Sequence, residues 1–171
     1  MKLFNTYIFR FLVLLVSSVS LQQAAAQDII GRVENVMLPD LGMKLKARID
    51  TGAGVSSLDA KIIEIKKPIV LSQPQRIVFE VSDREGQSKR LERPIVGWSD
   101  IKHKGSVGYN RRPIVIMTIC IGGKLFSGRV NLADRKEFLY PVLIGRNFLK
   151  MGEFLIDPRH KFRSKDPLCP Q

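Results

Sequence analysis

The chain has 171 residues, a length that favours one domain and excludes a fold too small to bury a core without disulfide staples. Its 28 lysines and arginines outnumber its 16 acids, so the formal net charge is +12 and anionic partners are favoured: acidic peptides, lipid headgroups, cell-wall polymers or nucleic acid. The bases are scattered along the sequence, however, and an ordinary basic surface would give the same charge.

The first 26 residues have the composition of a secretory signal. Lys2 provides a positive start, Phe11 to Val16 form an unbroken apolar run, and Ala24-Ala25-Ala26 supply small residues for a signal peptidase. We therefore predict cleavage before Gln27 and a periplasmic or secreted mature protein. The alternative is an uncleaved anchor, but the apolar run is shorter than the roughly 20 residues that cross a bilayer.

Removal of this segment is expected to leave a chain without an integral membrane segment. It takes away Lys2 and Arg10 and no acid, so 28 − 2 = 26 bases face 16 acids and the net charge becomes +10. No cysteine follows the small residues, which argues against a lipoprotein anchor. Export also disfavours nucleic acid as a partner.

The mature part shows short apolar runs between turn residues, the pattern of an all-β domain. The predicted strands, in chain order, are Val33 to Met37, Lys44 to Ile49, Ile77 to Val81, Lys89 to Ile95, Ile114 to Ile121, Lys124 to Val130, Tyr140 to Ile144 and Phe154 to Ile156. Two connections indicate hairpins: Ser82 to Gln87, and Gly122-Gly123, which is the stronger signal. Arg146 to Met151 is predicted to form one or two helical turns.

Cys120 and Cys169 are the two cysteines of the chain. An exported protein can join them in a disulfide. Cys120 also lies in the apolar run Ile114 to Ile121, where a buried free thiol is equally consistent with the sequence. The pairing therefore stays open at this level. The segment from Arg159 onward is basic and contains prolines, and we predict that it is a flexible tail.

A candidate catalytic loop, Asp50-Thr51-Gly52-Ala53, follows a predicted strand whose apolar and basic residues alternate. Hydrolysis of a peptide bond by aspartates needs two carboxylates held together, one ionised to activate water and one protonated to donate to the carbonyl oxygen. Gly52 lets the backbone approach the carboxylate closely, and the Thr51 hydroxyl can tie two such loops together. Alone, the tripeptide is also an ordinary turn sequence.

A second segment, Leu143-Ile144-Gly145-Arg146-Asn147-Phe148-Leu149, combines an apolar pair, a glycine and a predicted helix. Together with Asp50-Thr51-Gly52, and in the same order, it resembles the retropepsins, in which this second segment packs behind the catalytic loop. The resemblance is tighter with a bacterial retropepsin-like family that is often labelled as ATP-dependent zinc proteases. The matching stretches are Leu38 to Gly42, Lys46 to Ala53, Ser56 to Ala60, Asn131 to Arg135, Tyr140 to Arg146 and Ile156 to Pro158.

This resemblance implies an all-β fold: a closed acid-protease barrel of a single lobe over residues 27–158, with one short C-terminal helix and a flexible basic tail from 159 to 171. It also implies an aspartic endopeptidase that acts on a peptide or protein. The expected catalytic residues are Asp50, Thr51 and Gly52, and the expected substrate-binding residues are Ala53, Gly54 and Arg146. Because the chain carries one D-T-G, a homodimer must form, with one Asp50 from each copy across a two-fold axis.

Two features depart from the retropepsin pattern. Retropepsins usually carry an aspartate after D-T-G-A, where it pairs with the arginine of their G-R-N segment. Here Gly54 takes that position, so Arg146 is expected to lack that partner. No segment has the full glycine-rich sequence of a retropepsin flap. Gly105 to Asn110 and the turn around Gly86 are the candidates for a cover, and either is equally consistent with an ordinary loop.

The zinc and ATP of the family label have no support in the sequence. His103 and His160 are the only histidines, and they do not form the H-E-x-x-H pattern of a zinc peptidase. The sequence contains no glycine-lysine phosphate loop, and ATP is scarce outside the cytoplasm. We therefore expect no metal site and no cofactor.

Two other functions fit the same fold. One is a non-catalytic periplasmic module that binds an extended peptide or a cell-wall fragment through exposed strand edges. The other is an accessory protein of an ATP-grasp peptide ligase, because relatives are often associated with such enzymes. The fold alone does not decide among these functions.

Overall fold

The computed structural model describes residues 27–68, 70, 72–102, 109–164 and 169. The predicted signal sequence, residues 1–26, lies outside the described residues, as does His103. In the described ranges, no helix combines the length and the apolar character needed to cross a bilayer.

Most of the described chain forms strands joined by turns, as the short apolar runs predict. The strands are β1 (Ile29–Gly31), β2 (Val33–Leu38), β3 (Met43–Ile49), β4 (Ser56–Asp59), β5 (Lys61–Lys66), β6 (Arg76–Ser82), β7 (Ser88–Pro94), β8 (Gly97–Lys102), β9 (Tyr109–Ile121), β10 (Lys124–Ala133), β11 (Val142–Ile144) and β12 (Leu155–Asp157). A 3-10 turn spans Pro39–Leu41, and the α-helix α1 spans Arg146–Met151, the range predicted for it.

Six of the strands close into a ring. Their order is β10-β4-β11-β3-β2-β9, and β9 pairs back onto β10 in an antiparallel ladder. β8 extends the same sheet beyond β9, and β1 forms a separate parallel pair with β12. This architecture confirms the predicted all-β, closed barrel of a single lobe with one short C-terminal helix.

The core follows from the two-residue period of a half-buried strand. In β3, Leu45, Ala47 and Ile49 are buried, and the basic residues between them are exposed. Helix α1 adds Phe148 and Leu149 to the same apolar cluster. Full burial of one such large apolar side chain stabilises the fold by about 1.5–3 kcal/mol.

Strands β5, β6 and β7 form a second, antiparallel sheet. Its middle strand directs Ile77 and Phe79 into the core, where both are fully buried. The Lys89 ammonium group donates to the Leu41 carbonyl, which fixes this sheet beside the 3-10 turn between β2 and β3. The second sheet therefore lies near the start of β3, and the candidate catalytic loop follows the end of β3.

The predicted Gly122-Gly123 hairpin is confirmed. Both glycines have left-handed backbone angles, with φ of 61° and 76°, which residues with a Cβ rarely adopt. The turn joins β9 and β10, which are longer than predicted: β9 begins earlier, at Tyr109, in a largely polar stretch, and β10 continues to Ala133. The turn between β6 and β7 was also predicted, and there the Asp83 carboxylate accepts hydrogen bonds from the N–H groups of Glu85 and Gln87.

Four strands were not among those predicted: β1, β4, β5 and β8. β1 is too short to show a period and forms by pairing with β12, far along the chain. β4 contains Ser56 and Ser57, which are buried in spite of their polarity. β5 is exposed at every position, so its sequence shows no alternation between buried and exposed residues.

The segment after β12 lies against β1 and β2. The Glu34 carboxylate, 1% exposed, accepts hydrogen bonds from Arg163 N–H at 2.9 Å and from the Ser164 hydroxyl at 2.6 Å. The Phe162 N–H donates to the Val33 carbonyl at 2.7 Å. Residues 159–164 of the predicted flexible tail thus contact the barrel.

A disulfide answers the question that the sequence left open about the cysteines. Cys120, buried in β9, is bonded to Cys169, with their Cα atoms 6.2 Å apart. The bridge attaches the far end of the tail to the barrel. The rest of the predicted tail, residues 165–168 and 170–171, lies outside the described residues.

Candidate active site

The loop that begins at Asp50 connects two strands that do not pair with each other. β11 lies between them, parallel to β3 and antiparallel to β4. The Asp50 N–H donates to the Ile144 carbonyl at 2.9 Å, and the Arg146 N–H donates to the Ala53 carbonyl at 2.8 Å. The second motif segment therefore holds the loop at both ends, as the resemblance implies.

The Asp50 carboxylate is held by the backbone of its own loop. Its Oδ1 accepts hydrogen bonds from Gly52 N–H at 2.9 Å and from Ala53 N–H at 3.2 Å. A Cβ at Gly52 would lie only 3.1 Å from the same oxygen, so glycine permits this close approach. Asp50 is half-buried, and Thr51 and Gly52 are exposed. Within the described part of the chain, Oδ2 accepts no hydrogen bond.

Three polar groups brace the loop from behind. The Ser56 hydroxyl accepts from Gly145 N–H at 2.9 Å and donates to Asn147 Oδ1 at 2.8 Å. The same Asn147 oxygen accepts from Ser56 N–H at 3.0 Å. A Cβ at Gly145 would meet the Ala53 carbonyl oxygen at 2.9 Å, so a larger residue would displace the loop. The loop is thus fixed by packing and by buried hydrogen bonds.

Arg146 also supports the loop. Its Nη1 donates to the carbonyl oxygens of Thr51 and Gly52, both at 2.8 Å. Gly54 lies beside the guanidinium, and a Cβ built there would be 3.6 Å from Nη2. Carbonyl groups thus replace the aspartate that pairs with this arginine in retropepsins. The substrate-binding roles of Ala53, Gly54 and Arg146 stay predictions.

Five strands of the ring present one continuous face beside Asp50. The register aligns, across β3, β11, β4, β10 and β9 in turn, the residues Arg48, Leu143, Ser57, Asn131 and Ile114. Directly paired residues point to the same face, and alternation along β3 places Asp50 on the face of Arg48. The Ser57 hydroxyl donates to Asn131 Oδ1 at 2.8 Å, which satisfies both buried groups. On this face Ser57, Asn131 and Ile114 are buried, whereas Arg48 is exposed.

Two further arginines add positive charge near this face. Arg112 precedes Ile114 by two residues on β9, and its Nε has no hydrogen-bond partner among the described residues. Arg135, 6% exposed, follows β10, and its N–H donates to Asp59 Oδ1 at 2.7 Å. Burial lowers the pKa of Arg135 and the charge of Arg112 lowers it further, while the charges of Asp59 and Asp50 act in the opposite direction. A carboxylate placed near these guanidinium groups would be strongly attracted.

The two segments that could cover the active site as a flap lie in different parts of the fold. Gly86 is in the turn between β6 and β7, whose residues line a groove with Met43 and Lys44 at the start of β3. Asp50 follows the other end of this seven-residue strand. Asp83 and Arg84 of the same turn also line a pocket together with Arg135, so the role of this turn as a cover for Asp50 stays a prediction. The other candidate, Gly105 to Asn110, belongs to the β8–β9 hairpin, and residues 103–108 lie outside the described residues.

The described residues contain no group of three or more His, Cys, Asp or Glu side chains that is placed to hold a metal ion. His160 instead lies within hydrogen-bond distance of Asp157, at 2.8 Å. The expected absence of a metal and of a cofactor stays a prediction.

Sequence reasoning located the loop and its partner segment but missed the side chains that lie beside them. The position of Arg48 on the same face as Asp50 follows from the alternation of β3, continued to its last residues. Asn131 and Arg135 lie in one of the family-like stretches, although no role followed from that. Arg112 had no signal in the sequence, since it comes near this face only through the pairing of β9 with β10.

A single-lobed closed barrel, with an Asp-Thr-Gly loop braced by a glycine-arginine-asparagine segment, defines the protein as retropepsin-like. The sequence profile of the RimB-like family, described as "Retropepsin-like aspartic endopeptidase RimB", matches residues 29–167, and the chain belongs to this family.

The chain is also similar to a solved structure and to larger proteins. A Legionella pneumophila protein of unknown function superposes with a TM-score of 0.68 and 32% identity, over 82% of this chain and 100% of that one. A protein named "Probable alpha-L-glutamate ligase" from Shewanella pealeana is 29% identical over 138 residues, which are 78% of this chain and 29% of the ligase. One of the same name from Parasynechococcus marenigrum is 28% identical, over 76% of this chain and 28% of that protein. The chain thus spans less than a third of the length of these ligases.

Proposed function

We propose that the protein is an aspartic endopeptidase whose active site forms when two copies bring their Asp50 carboxylates together. The observation that carries the proposal is the Asp50 loop, which holds one carboxylate oxygen by the N–H groups of Gly52 and Ala53 at 2.9 and 3.2 Å. When two carboxylates lie about 3 Å apart, they share one proton, because like charges at that distance cannot both be present. The ionised group removes a proton from water as it attacks the peptide carbonyl, and the protonated group donates to the carbonyl oxygen.

A second copy is needed because Asp50 is the only carboxylate of the described residues in this loop. The surface beside the loop fits such a contact. A groove of about 510 Å³, lined in part by Thr51, Arg146 and Leu155, adjoins it. Ile29 and Leu155, on the β1–β12 pair, are apolar and 41% and 49% exposed. Burial of this apolar surface would stabilise a homodimer and direct the two Asp50 loops toward each other.

The positive charge beside the Asp50 loop supports a substrate with acidic side chains. Arg48, Arg112 and Arg135 lie on or near the strand face beside Asp50, and guanidinium groups bind carboxylates through paired hydrogen bonds. The mature chain is basic as a whole, which would attract an acidic peptide over longer distances. The name of the ligase relatives points to glutamate as the acidic residue. We therefore propose glutamate-rich peptides as the substrate class.

The Asp50→Asn variant tests the mechanism. Its amide oxygen can accept the same two backbone hydrogen bonds, so the melting temperature should stay close to that of the wild type. Hydrolysis of a glutamate-rich peptide, followed by mass spectrometry across acidic and neutral pH, should fall to background. The wild-type activity should follow an acidic or bell-shaped pH profile, since a carboxylate pair titrates as a unit. Full activity of Asp50→Asn would rule the mechanism out.

Analytical ultracentrifugation with activity measured over a range of protein concentrations tests the dimer. The specific activity should rise with the dimer fraction. A strict monomer that cleaves peptides would contradict the shared site. A strict monomer that binds the peptide but cleaves nothing at any pH would favour the non-catalytic binding module.

The similarity to ligases favours a second candidate function, in which the protein is an accessory to a glutamate ligase. The matched stretch occupies 29% of the Shewanella pealeana ligase, so a region similar to this chain occurs together with a ligase in one polypeptide. If this role is correct, the Asp50→Asn variant should still change the product lengths of a purified glutamate ligase. If the protein is a peptidase, only the wild type should shorten those products.

We also propose that the chain is exported and cleaved before Gln27, because the composition of residues 1–26 is that of a signal sequence. Mass spectrometry of the native protein should give a chain that begins at Gln27. Recovery of a chain that retains Met1 from the membrane fraction would contradict this proposal.

A further inference from the structure

The second sheet has an apolar edge that the proposed peptidase does not use. β5 is the edge strand of the β5-β6-β7 sheet, and all of its residues are exposed. Ile62, Ile63 and Ile65 are 43%, 40% and 40% exposed, and Val70, in the connection to β6, is 53% exposed. Scattered single apolar residues on a surface need no explanation, but four in one short stretch form a patch.

Two of these isoleucines continue a face that is otherwise part of the core. Ile62 pairs with Phe79 and Ile65 pairs with Ile77, and both partners are fully buried. Paired residues lie on the same face of a sheet. The apolar face therefore extends beyond the area that the barrel covers.

Positive charge borders the patch. The cations of residues 61–76 are Lys61, Lys66, Lys67 and Arg76. Glu64 is the only acid in the same range, so the net charge is 4 − 1 = +3. Lys66 and Arg76 both pair with Glu92, at 2.6 Å each, whereas Lys61 and Lys67 form no salt bridge with any described residue. The surface thus combines aliphatic side chains with unneutralised lysines.

An irregularity in β5 distinguishes between two kinds of partner. The register of β5 against β6 shifts between Ile62 and Glu64. Such bulges interrupt the regular row of N–H and C=O groups that an added peptide strand needs, and they are a common protection of sheet edges. A lipid surface needs no regular row, and it accepts aliphatic side chains from both faces of a strand. The combination of features therefore favours lipid over peptide.

We propose that β5 and Val70 form a peripheral docking surface for a bilayer that contains anionic lipids. The isoleucines and Val70 enter the boundary between headgroups and acyl chains, and the lysines bind the phosphate groups. The surface lies on the second sheet and does not include the Asp50 loop. Its role is thus independent of whether the protein cleaves peptides.

Vesicle co-sedimentation tests the proposal. The protein used begins at Gln27, so it keeps the whole buried apolar cluster from Ile30 to Phe154. The protein should sediment with vesicles of phosphatidylglycerol and phosphatidylethanolamine, less at high salt, and little with phosphatidylcholine alone. Val70→Asp and Ile63→Asp should each lower the partition coefficient at least tenfold. Lys67→Gln should lower it about fivefold, the effect of one cation near an anionic surface.

Leu125→Asp is the matched control, because Leu125 is 46% exposed on β10 and lies outside the patch. It should bind vesicles as the wild type does, and Asp50→Asn should do the same. Failure of the wild type to sediment with anionic vesicles, or equal losses in Val70→Asp and Leu125→Asp, would overturn the proposal. A labelled peptide with an apolar centre and acidic ends serves as a second probe. Binding of this peptide that is lost in Ile63→Asp, without vesicle binding, would assign the edge to strand addition and also overturn it.

Discussion

Replacement of Gly54 by aspartate should stabilise the protein. The Gly54 backbone is outside the left-handed region, so a side chain is tolerated there. Apart from the adjacent residues, Arg146 Nη2 is the only described atom within 4 Å of a Cβ at this position, at 3.6 Å. The guanidinium is already oriented by its hydrogen bonds to Thr51 and Gly52. A carboxylate at this site should therefore form the ion pair that retropepsins have and this chain lacks.

The magnitude follows from two effects. Loss of glycine reduces the conformational freedom of the unfolded chain and contributes about 0.4–1 kcal/mol. An ion pair with the exposed Arg146 side chain contributes about 0.2–1 kcal/mol, because solvent screens it. The sum, about 1 kcal/mol, corresponds to a rise in Tm of roughly 3 °C for a domain of this size.

Thermal and urea unfolding of Gly54→Asp, Gly54→Asn and Gly54→Ala separate the two effects. Gly54→Ala measures the backbone contribution, and the difference between the aspartate and asparagine variants measures the charge. That difference should shrink between about 50 mM and about 500 mM salt, because the pair is exposed. An aspartate variant no more stable than the asparagine variant at low salt would refute the reasoning, since Arg146 would then not be placed as described.

Three further perturbations follow from other contacts. Ser56→Ala leaves the buried Gly145 N–H without its acceptor and should lower the free energy of unfolding by about 2 kcal/mol in urea titrations. Cys169→Ser removes the bridge to Cys120 and should cost about 2–4 kcal/mol, and a dithiol reductant should lower the Tm of the wild type but not of the variant. Hydrogen bonds from Arg159 and His160 hold the pKa of Asp157 well below its usual range. This stabilisation is present above the unfolded-state pKa of about 3.9 and is lost as the pH falls toward the folded-state value, so Asp157→Asn should flatten the stability profile below about pH 4.

Each of these three predictions has a result that would contradict it. Ser82→Ala, at an exposed serine, is the control for Ser56→Ala and should change stability by less than about 0.5 kcal/mol. Equal effects of the two substitutions would argue against a special role for the buried hydroxyl. An identical response of the wild type and Cys169→Ser to reductant would argue against the bridge. If the stability of Asp157→Asn falls with pH in the same way as that of the wild type, other carboxylates account for the loss of stability in acid.

Local patterns determined the fold class and several elements. The alternation in β3 predicted which residues are buried, because side chains of a strand point to opposite faces in turn. Gly122 and Gly123 predicted a tight turn because they tolerate positive φ. Helix α1 was predicted with its observed bounds, since Gly145 precedes its first turn and Gly152 follows its last. Each of these depends only on neighbours in the sequence.

The strands that were missed depend on partners elsewhere. β1 has three residues, and it forms only by pairing with β12 at the other end of the described barrel sequence. The tail was predicted to be flexible from its composition, whereas Arg163 and Ser164 bind the buried Glu34 carboxylate. A buried carboxylate needs such donors, and nothing in the local sequence of the tail indicates that it supplies them.

For the site, the sequence by itself determined the Asp50 loop and the segment that braces it, because both are short motifs with a recognisable order. Only the tertiary structure decided which side chains surround them. Arg48, Arg112 and Arg135 come from three distant segments, and the register of five paired strands brings them to one side of the barrel. A shift of that register by one residue would turn each strand's side chains to the opposite face, so the positive charge beside Asp50 is a property of strand pairing and cannot be read from any one stretch of sequence.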